Sequence, residues 1–216
     1  MKKMRAASMS KKKTFTFGNS QYEYLYNDYN MTWGNERTVE VPIIWRAVNL
    51  ESHENVLEVG NVLSHYFHVH HLVIDKYEKM AGLINEDIVD FNPQRKFKLI
   101  VSISTLEHVG WDERPREVRK PLRAIRRMRS LCQPGGRIYF TVPIGSNPYI
   151  DELIGNGFQG ELSSMRFLRR INFENEWVES NRDYAQKLHY GEFSYSSKKF
   201  PPFPYANAIM VGEVTT

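Results

Sequence analysis

The sequence predicts an α/β fold on a mainly parallel sheet, and three observations carry that reading. Short apolar runs at Asn55–Val59, Leu72–Ile74 and Phe97–Ile103 alternate with longer stretches, one of helical period. The run Phe97–Ile103 is almost wholly apolar after Lys98, as a strand covered on both faces must be. The first two runs end at Glu58-Val59-Gly60 and at Asp75, a pattern of strands whose carboxyl ends face a ligand. The length of 216 residues, with 41% hydrophobic and 25% charged residues, fits one globular domain with a substantial core.

Taken in order, residues 1–13 form a basic stretch (Lys2, Lys3, Arg5, Lys11, Lys12, Lys13) without an apolar centre. It is expected to be a disordered tail rather than a secretory signal, ahead of a single domain over 14–216. Residues 14–37 are rich in rings: Phe15, Phe17, Tyr22, Tyr24, Tyr26, Tyr29 and Trp33. They predict a flap packed on the core, or rings that close over a ligand. Thr38–Leu50 is a helix by the spacing of Val41, Ile44, Trp45 and Val48, with Pro42 placed in its first turn. Strands follow at Asn55–Val59, Leu72–Ile74, Leu83–Ile88 and Phe97–Ile103. A helix over Arg116–Cys132 stops at Pro134-Gly135-Gly136, and Arg137–Val142 is the fifth strand. A strand is expected within Phe167–Val178 and a closing one at Ala206–Val214. Short links between strands and helices imply right-handed crossovers.

Composition narrows the function classes. No apolar run approaches the roughly 20 residues that span a bilayer, so no membrane partner is expected. The single Cys132 excludes an internal disulfide and suits a reducing, cytoplasmic setting. A net charge of +4 and a pI near 9.0 permit an anionic partner, but the tail supplies much of the excess. The basic helix (Arg119, Lys120, Arg123, Arg126, Arg127, Arg129) reads as a solvated face. Nucleic acid is therefore possible but not favoured.

The strand ends suggest a nucleoside-containing cofactor. Gly60 lets the backbone approach a ligand closely, and Asp75 is placed to accept two ribose hydroxyls or, in the other reading, to cap the following turn. The ordered pieces Val56-Leu57-Glu58-Val59-Gly60, Ile74-Asp75, Glu86-Asp87-Ile88, Leu99 to Val109 and Pro134 to Tyr139 together resemble a class I S-adenosylmethionine-dependent methyltransferase of small-molecule type. The resemblance covers about residues 50 to 145. It implies a Rossmann-like, seven-stranded, mostly parallel sheet with helices on both faces and an antiparallel last strand. It further implies S-adenosylmethionine as cofactor, with S-adenosylhomocysteine as product. Glu58 and Gly60 match the methionine side of the cofactor site. Asp75 matches the ribose side, Asp87 and Ile88 the adenine side, and Ser102, Ile103 and Ser104 the lining after the fourth strand; Asn61 and Lys76, beside Gly60 and Asp75, are counted with the cofactor-binding residues. The family often carries two further glycines in the first turn; here those positions are Val62 and Ser64.

His108 is the candidate general base, because imidazole titrates near neutrality; packing at a helix start is the other reading of it, as it is of Glu107. His68, His70 and His71 invite a metal, but His70 and His71 would face opposite sides of a strand and no acid or cysteine joins them, so no metal is expected. The function expected is methyl transfer, on oxygen or nitrogen, to a small-molecule or sugar-like acceptor. The acceptor pocket is expected between the aromatic segment and residues 143–160. Two alternatives stay open: an RNA methyltransferase, and a non-catalytic binding protein of cofactor-binding fold.

Overall fold

The computed structural model describes residues 13–188, 190–191 and 205–216. The basic tail lies outside the described residues as far as residue 12. The elements run β1 (Thr14–Phe17), β2 (Ser20–Glu23), α1 (Arg37–Asn49), β3 (Val56–Val59), β4 (Leu72–Ile74), β5 (Phe97–Ile103), α2 (Lys120–Leu131), β6 (Cys132–Pro143), α3 (Pro148–Gly155), β7 (Ser164–Arg170), β8 (Trp177–Ser180) and β9 (Ala208–Thr215).

Seven strands form one sheet in the order β4-β3-β5-β6-β9-β7-β8. β3 pairs in parallel with β4 and β5, and β5 with β6, so these four strands end at one edge. The last strand, β9, runs antiparallel to both β6 and β7, as expected. β8 adds a second antiparallel edge through its hairpin with β7.

Side-chain alternation on β5 explains the layers. Leu99, Val101 and Ile103 face α1, where Val41, Ile44 and Val48 are fully buried. Ile100, with Ile138 and Phe140 of β6, faces α2 and α3 through Ile125, Met128, Ile150 and Leu153. Phe97 joins this second layer because the register shifts between Phe97 and Leu99. The aromatic segment is partly what the flap reading expected. Phe15, Phe17 and Tyr24 pack on Leu168, Trp177 and Ile209, whereas Tyr26 and Tyr29 stay exposed.

Four expectations need correction. Pro42 sits inside α1, beyond its first turn. It cannot donate to the Thr38 carbonyl, and Leu25 N–H takes that place at 3.0 Å. The strand expected at Leu83–Ile88 shrinks to one bridge, Ile84 to Ile74, because the segment leaves the sheet toward the Asp87 ion pairs. The helix expected from Arg116 begins only at Lys120; Glu117 N–H is drawn to the Gly110 carbonyl and Pro121 takes the first turn. The links β3→β4 and β4→β5 carry no α-helix, only a short 3-10 turn at Leu63–His65 in the first.

Candidate functional site

The turn after β3 is held from within. Gly60 has φ +86°, and its N–H bonds the Ile74 carbonyl at 2.9 Å. A Cβ built there would lie 2.1 Å from Thr105 Oγ1. Glycine is therefore required by a neighbouring side chain as well as by the backbone angle. Glu58 is fully buried. Its Oε1 accepts from Val62 N and Leu63 N at 2.9 and 2.8 Å, and its Oε2 lies 2.8 Å from His71 Nε2. This buried carboxylate organises the turn. Leu63, after the substituted glycine position Val62, is buried in the α1 layer, which explains the apolar turn.

Asp75, at the end of β4, accepts from Asn61 N through Oδ2 and from Tyr77 N and Glu78 N through Oδ1, all at 2.8–2.9 Å. It caps the following turn, and it keeps roughly one of about four acceptor positions for a ligand. Asn61 is nearly buried and ties this turn to Ser64.

Asp87, Lys76, Lys120 and Glu113 form one ion-pair network. Asp87 Oδ2 lies 2.8 Å from Lys76 Nζ and 2.5 Å from Lys120 Nζ; Glu113 meets the same two lysines at 3.0 and 2.6 Å. Desolvation pushes both carboxyls upward, but hydrogen bonds from Lys120 and Lys76 outweigh it and hold them below the usual range. Gly60, Asp75, Lys76, Asp87, Ile88, Thr105, His108 and Glu113 line a single small cavity of about 80 Å³. His108 stands at its rim with the imidazole 59% exposed and Nδ1 2.6 Å from Asp112 Oδ2.

Ser102, Ile103 and Ser104 lie deeper. Ser102 is buried and donates to the Val59 carbonyl at 2.8 Å; Ile103 is buried in the α1 layer. Ser104 adopts φ +37°, a conformation a non-glycine residue holds only when its surroundings impose it. Its N–H bonds the Thr141 carbonyl at 3.0 Å and its Oγ donates to Glu40 Oε1 at 2.6 Å.

Glu40 opens a second, buried cluster that the sequence reading missed. Arg37 donates to Glu40 Oε2 at 3.4 Å and to the Ile103 carbonyl at 3.0 Å. Desolvation, opposed by Arg37 and reinforced by Glu36, raises the Glu40 carboxyl to about 7. Glu107 is also buried, with no partner for Oε2 among the described residues. Desolvation lifts it well above the usual range, and Glu40 and Glu36 add to the lift. Asn147, the cap of α3, donates to the Glu107 carbonyl at 2.6 Å and so fixes this bend against the segment after β6. A signal existed. Glu40 lies four and eight residues before Ile44 and Val48, on the buried stripe of α1. Lys120 holds the same relation to Ala124 and Met128 on α2.

The histidines lie before β4 rather than on it. His53 and His71 stack at 6.1 Å, and His68 and His70 meet edge to face at 4.5 Å. Among the described residues no group of three or more histidines, cysteines or acids could hold a metal ion. No described helix is long and apolar enough to cross a membrane.

In kind, the lining fits an adenosine-bearing cofactor: an acid after β4, an acid beside a buried isoleucine, and a glycine turn in the same cavity wall. In room it does not yet suffice, since ligand pockets occupy about 300–1,000 Å³. The half-exposed Lys76 is the side chain whose departure would widen it.

No protein-family model matches the sequence, and no curated protein matches it. Among solved structures the chain is similar to the N-methyltransferase NodS from Bradyrhizobium japonicum WM9, solved with S-adenosyl-L-homocysteine. The identity is 13%, the match covers 84% of this chain and 87% of that one, and the TM-score is 0.51. It also matches TehB from Haemophilus influenzae at 11% identity, over 88% of this chain and 66% of that one, with a TM-score of 0.47. The strand order, the antiparallel last strand and the NodS likeness together give this chain the Rossmann-like fold of the methyltransferases.

Proposed function

We propose that the chain is an S-adenosylmethionine-dependent methyltransferase acting on a small-molecule or sugar-like acceptor, by O- or N-methyl transfer, in the cytoplasm. The observation that supports this best is the convergence of Gly60, Asp75, Asp87 and Ile88 on one cavity at the carboxyl ends of β3 and β4. The cofactor, when bound, supplies a methyl group already activated on a sulfonium. The protein's part is then to align the acceptor and exclude water.

Asp75 offers its remaining acceptor position to a ribose hydroxyl, and Asp87 and Ile88 flank the adenine. Lys76 closes this side in the free protein and turns to solvent to admit the ligand. Lys120 is 5% exposed and stays in place as the counter-charge of Asp87. Glu58, Asn61, Ser102, Ile103 and Ser104 shape the cradle. His108, at the rim, carries a proton between the acceptor side and solvent.

A small acceptor is favoured over RNA because the basic face of α2 is engaged within the chain. Arg126 and Arg129 bind Glu161, Arg123 binds Glu117, and Arg127 donates to the Phe91 carbonyl at 2.7 Å.

Calorimetry with S-adenosylhomocysteine and S-adenosylmethionine tests the reading. Saturable one-to-one binding of both is expected. A well-folded sample that binds neither overturns it and favours the non-catalytic alternative.

A further inference from the structure

We infer that the buried carboxylate of Glu107 is an anchor for a protonated amine, so that the acceptor is a small primary or secondary amine. The use of this anchor in methyl transfer rests on the reading above; its capacity to bind an amine does not.

The anchor sits where α1, the bend after β5 and Tyr190 meet. Three acids act on one another there, Glu36, Glu40 and Glu107; Arg37 faces all three, and Arg170 faces Glu36 alone among them. Arg37 is already committed to Glu40 and to the Ile103 and Ser104 carbonyls. Glu40 is committed to Arg37 and Ser104. Glu107 is 2% exposed and its Oε2 has no partner among the described residues. His108 comes no closer than 3.7 Å, to the other oxygen, and its Nδ1 is turned to Asp112.

Burying an unpaired carboxylate is strongly unfavourable. Such a group either keeps a proton or faces a cation. Burial and the neighbouring acids do hold Glu107 well above the usual carboxylate range, and Glu40 at about 7. A guest that brings a positive charge and N–H donors answers both needs at once. A neutral hydroxyl satisfies a lone pair but leaves the excess negative charge. A guest carboxylate is repelled. Two half-buried rings feel members of this cluster: burial first, then Glu36, Glu107 and Glu40, push the Tyr190 hydroxyl up to about 12, and Glu40 adds to the lift on Tyr66.

The chemistry balances simply. One N–H proton of the ammonium passes to Glu107 Oε2, and the electron pair of that bond stays on nitrogen as the lone pair a nucleophile needs. The carboxyl becomes neutral. His108, exposed and 3.7 Å from Oε1, is its route to solvent.

Titration calorimetry tests the anchor with benzylamine, tyramine and glucosamine against benzyl alcohol, 4-hydroxyphenylethanol and glucose. Each pair is run on the free protein and on protein saturated with S-adenosylhomocysteine. At least one amine is expected to bind about 10-fold or more tighter than its matched alcohol, which is ~1.4 kcal/mol. Glu107→Gln, nearly isosteric, is expected to erase that preference while leaving S-adenosylhomocysteine affinity unchanged. Glu107→Asp, which keeps the charge but withdraws it by one methylene, should fall between. Equal affinity for amines and alcohols in the native protein, or a preference that survives Glu107→Gln, overturns the anchor. Failure of S-adenosylhomocysteine to bind removes only the methyltransferase reading, since the free-protein arm still decides the amine site.

Discussion

The space where a Cβ on Gly60 would project is already filled by Thr105, whose Oγ1 would lie 2.1 Å from it. Two loops, one after β3 and one after β5, are thus in direct contact where a ligand's methionine end was expected to rest. Thr105 is held in turn by its own hydrogen bond to the Ile103 carbonyl at 3.0 Å.

Gly60→Ala is therefore expected to cost fold stability as well as binding. A positive φ costs an L-residue about 1–2 kcal/mol, and overpacking adds about 1–3 kcal/mol. Denaturant unfolding should show a loss of roughly 2–5 kcal/mol, with part of the overpacking share recovered by Thr105→Ala in the same chain. A loss confined to ligand affinity would contradict the contact.

Glu58→Ala strips the acceptor from Val62 N, Leu63 N and His71. Each buried group left unpaired costs about 1–3 kcal/mol, so unfolding should show a loss of at least about 2 kcal/mol. Glu58→Gln keeps one acceptor and should lose less. Equal losses in the two variants would mean that the charge, not the acceptor geometry, matters.

Asp75→Ala is expected to weaken S-adenosylhomocysteine by about 1.5–3 kcal/mol, the range for a hydrogen bond to a charged group. The variant also orphans three turn N–H groups. Its affinity must be read on samples whose circular dichroism matches the native protein. Unchanged affinity there rules out the ribose contact.

Lys120→Met should destabilise the protein by roughly 3 kcal/mol, the low end for breaking a buried ion pair, because Lys76 still faces both acids. Asp87 and Glu113 are depressed in the folded state, so their contribution is present above the ordinary carboxylate range and lost as pH falls through the folded values. The native protein should therefore lose stability on acidification below about pH 4.5. Lys120→Met should lose less over the same interval. Parallel acid limbs for the two proteins would remove the network from the account.

Glu40 gives the opposite slope. Its folded value of about 7 stands above the ordinary 4.5, so between these values the folded state binds more protons and stability falls as pH rises. The groups facing it are Arg37 and Glu36 from the same helix end, Ser104 and Thr141 from the sheet edge, Glu107 from the bend after β5, and Tyr66 and Tyr190. Melting temperatures of the native protein are expected to decline between pH 5 and about pH 7 more steeply than those of Glu40→Gln. An identical slope would show that Glu40 stays ionised throughout.

How much was legible in the sequence follows from what is local and what is not. The apolar runs Leu72–Ile74 and Phe97–Ile103 are strands with the expected bounds, because a strand buried on both faces writes itself as consecutive apolar residues. Asp75 could be singled out because an acid at the end of a strand occupies a fixed place relative to the sheet edge, whereas Asp87 follows a segment that forms a single bridge. The sequence could not show that Leu83–Ile88 would pair at one residue only, since a short edge run has no propensity strong enough to outweigh the ion pairs beyond it. Nor could it show how each acid is used. Glu58, Glu40 and Glu107 have the same side chain, yet one braces a turn, one is paired, and one is buried with an oxygen that has no partner among the described residues. Chain order determined the strands and the acids at their ends. Only the folded chain decided which donors reach each acid and which water is excluded, because burial and hydrogen bonding depend on residues distant in sequence.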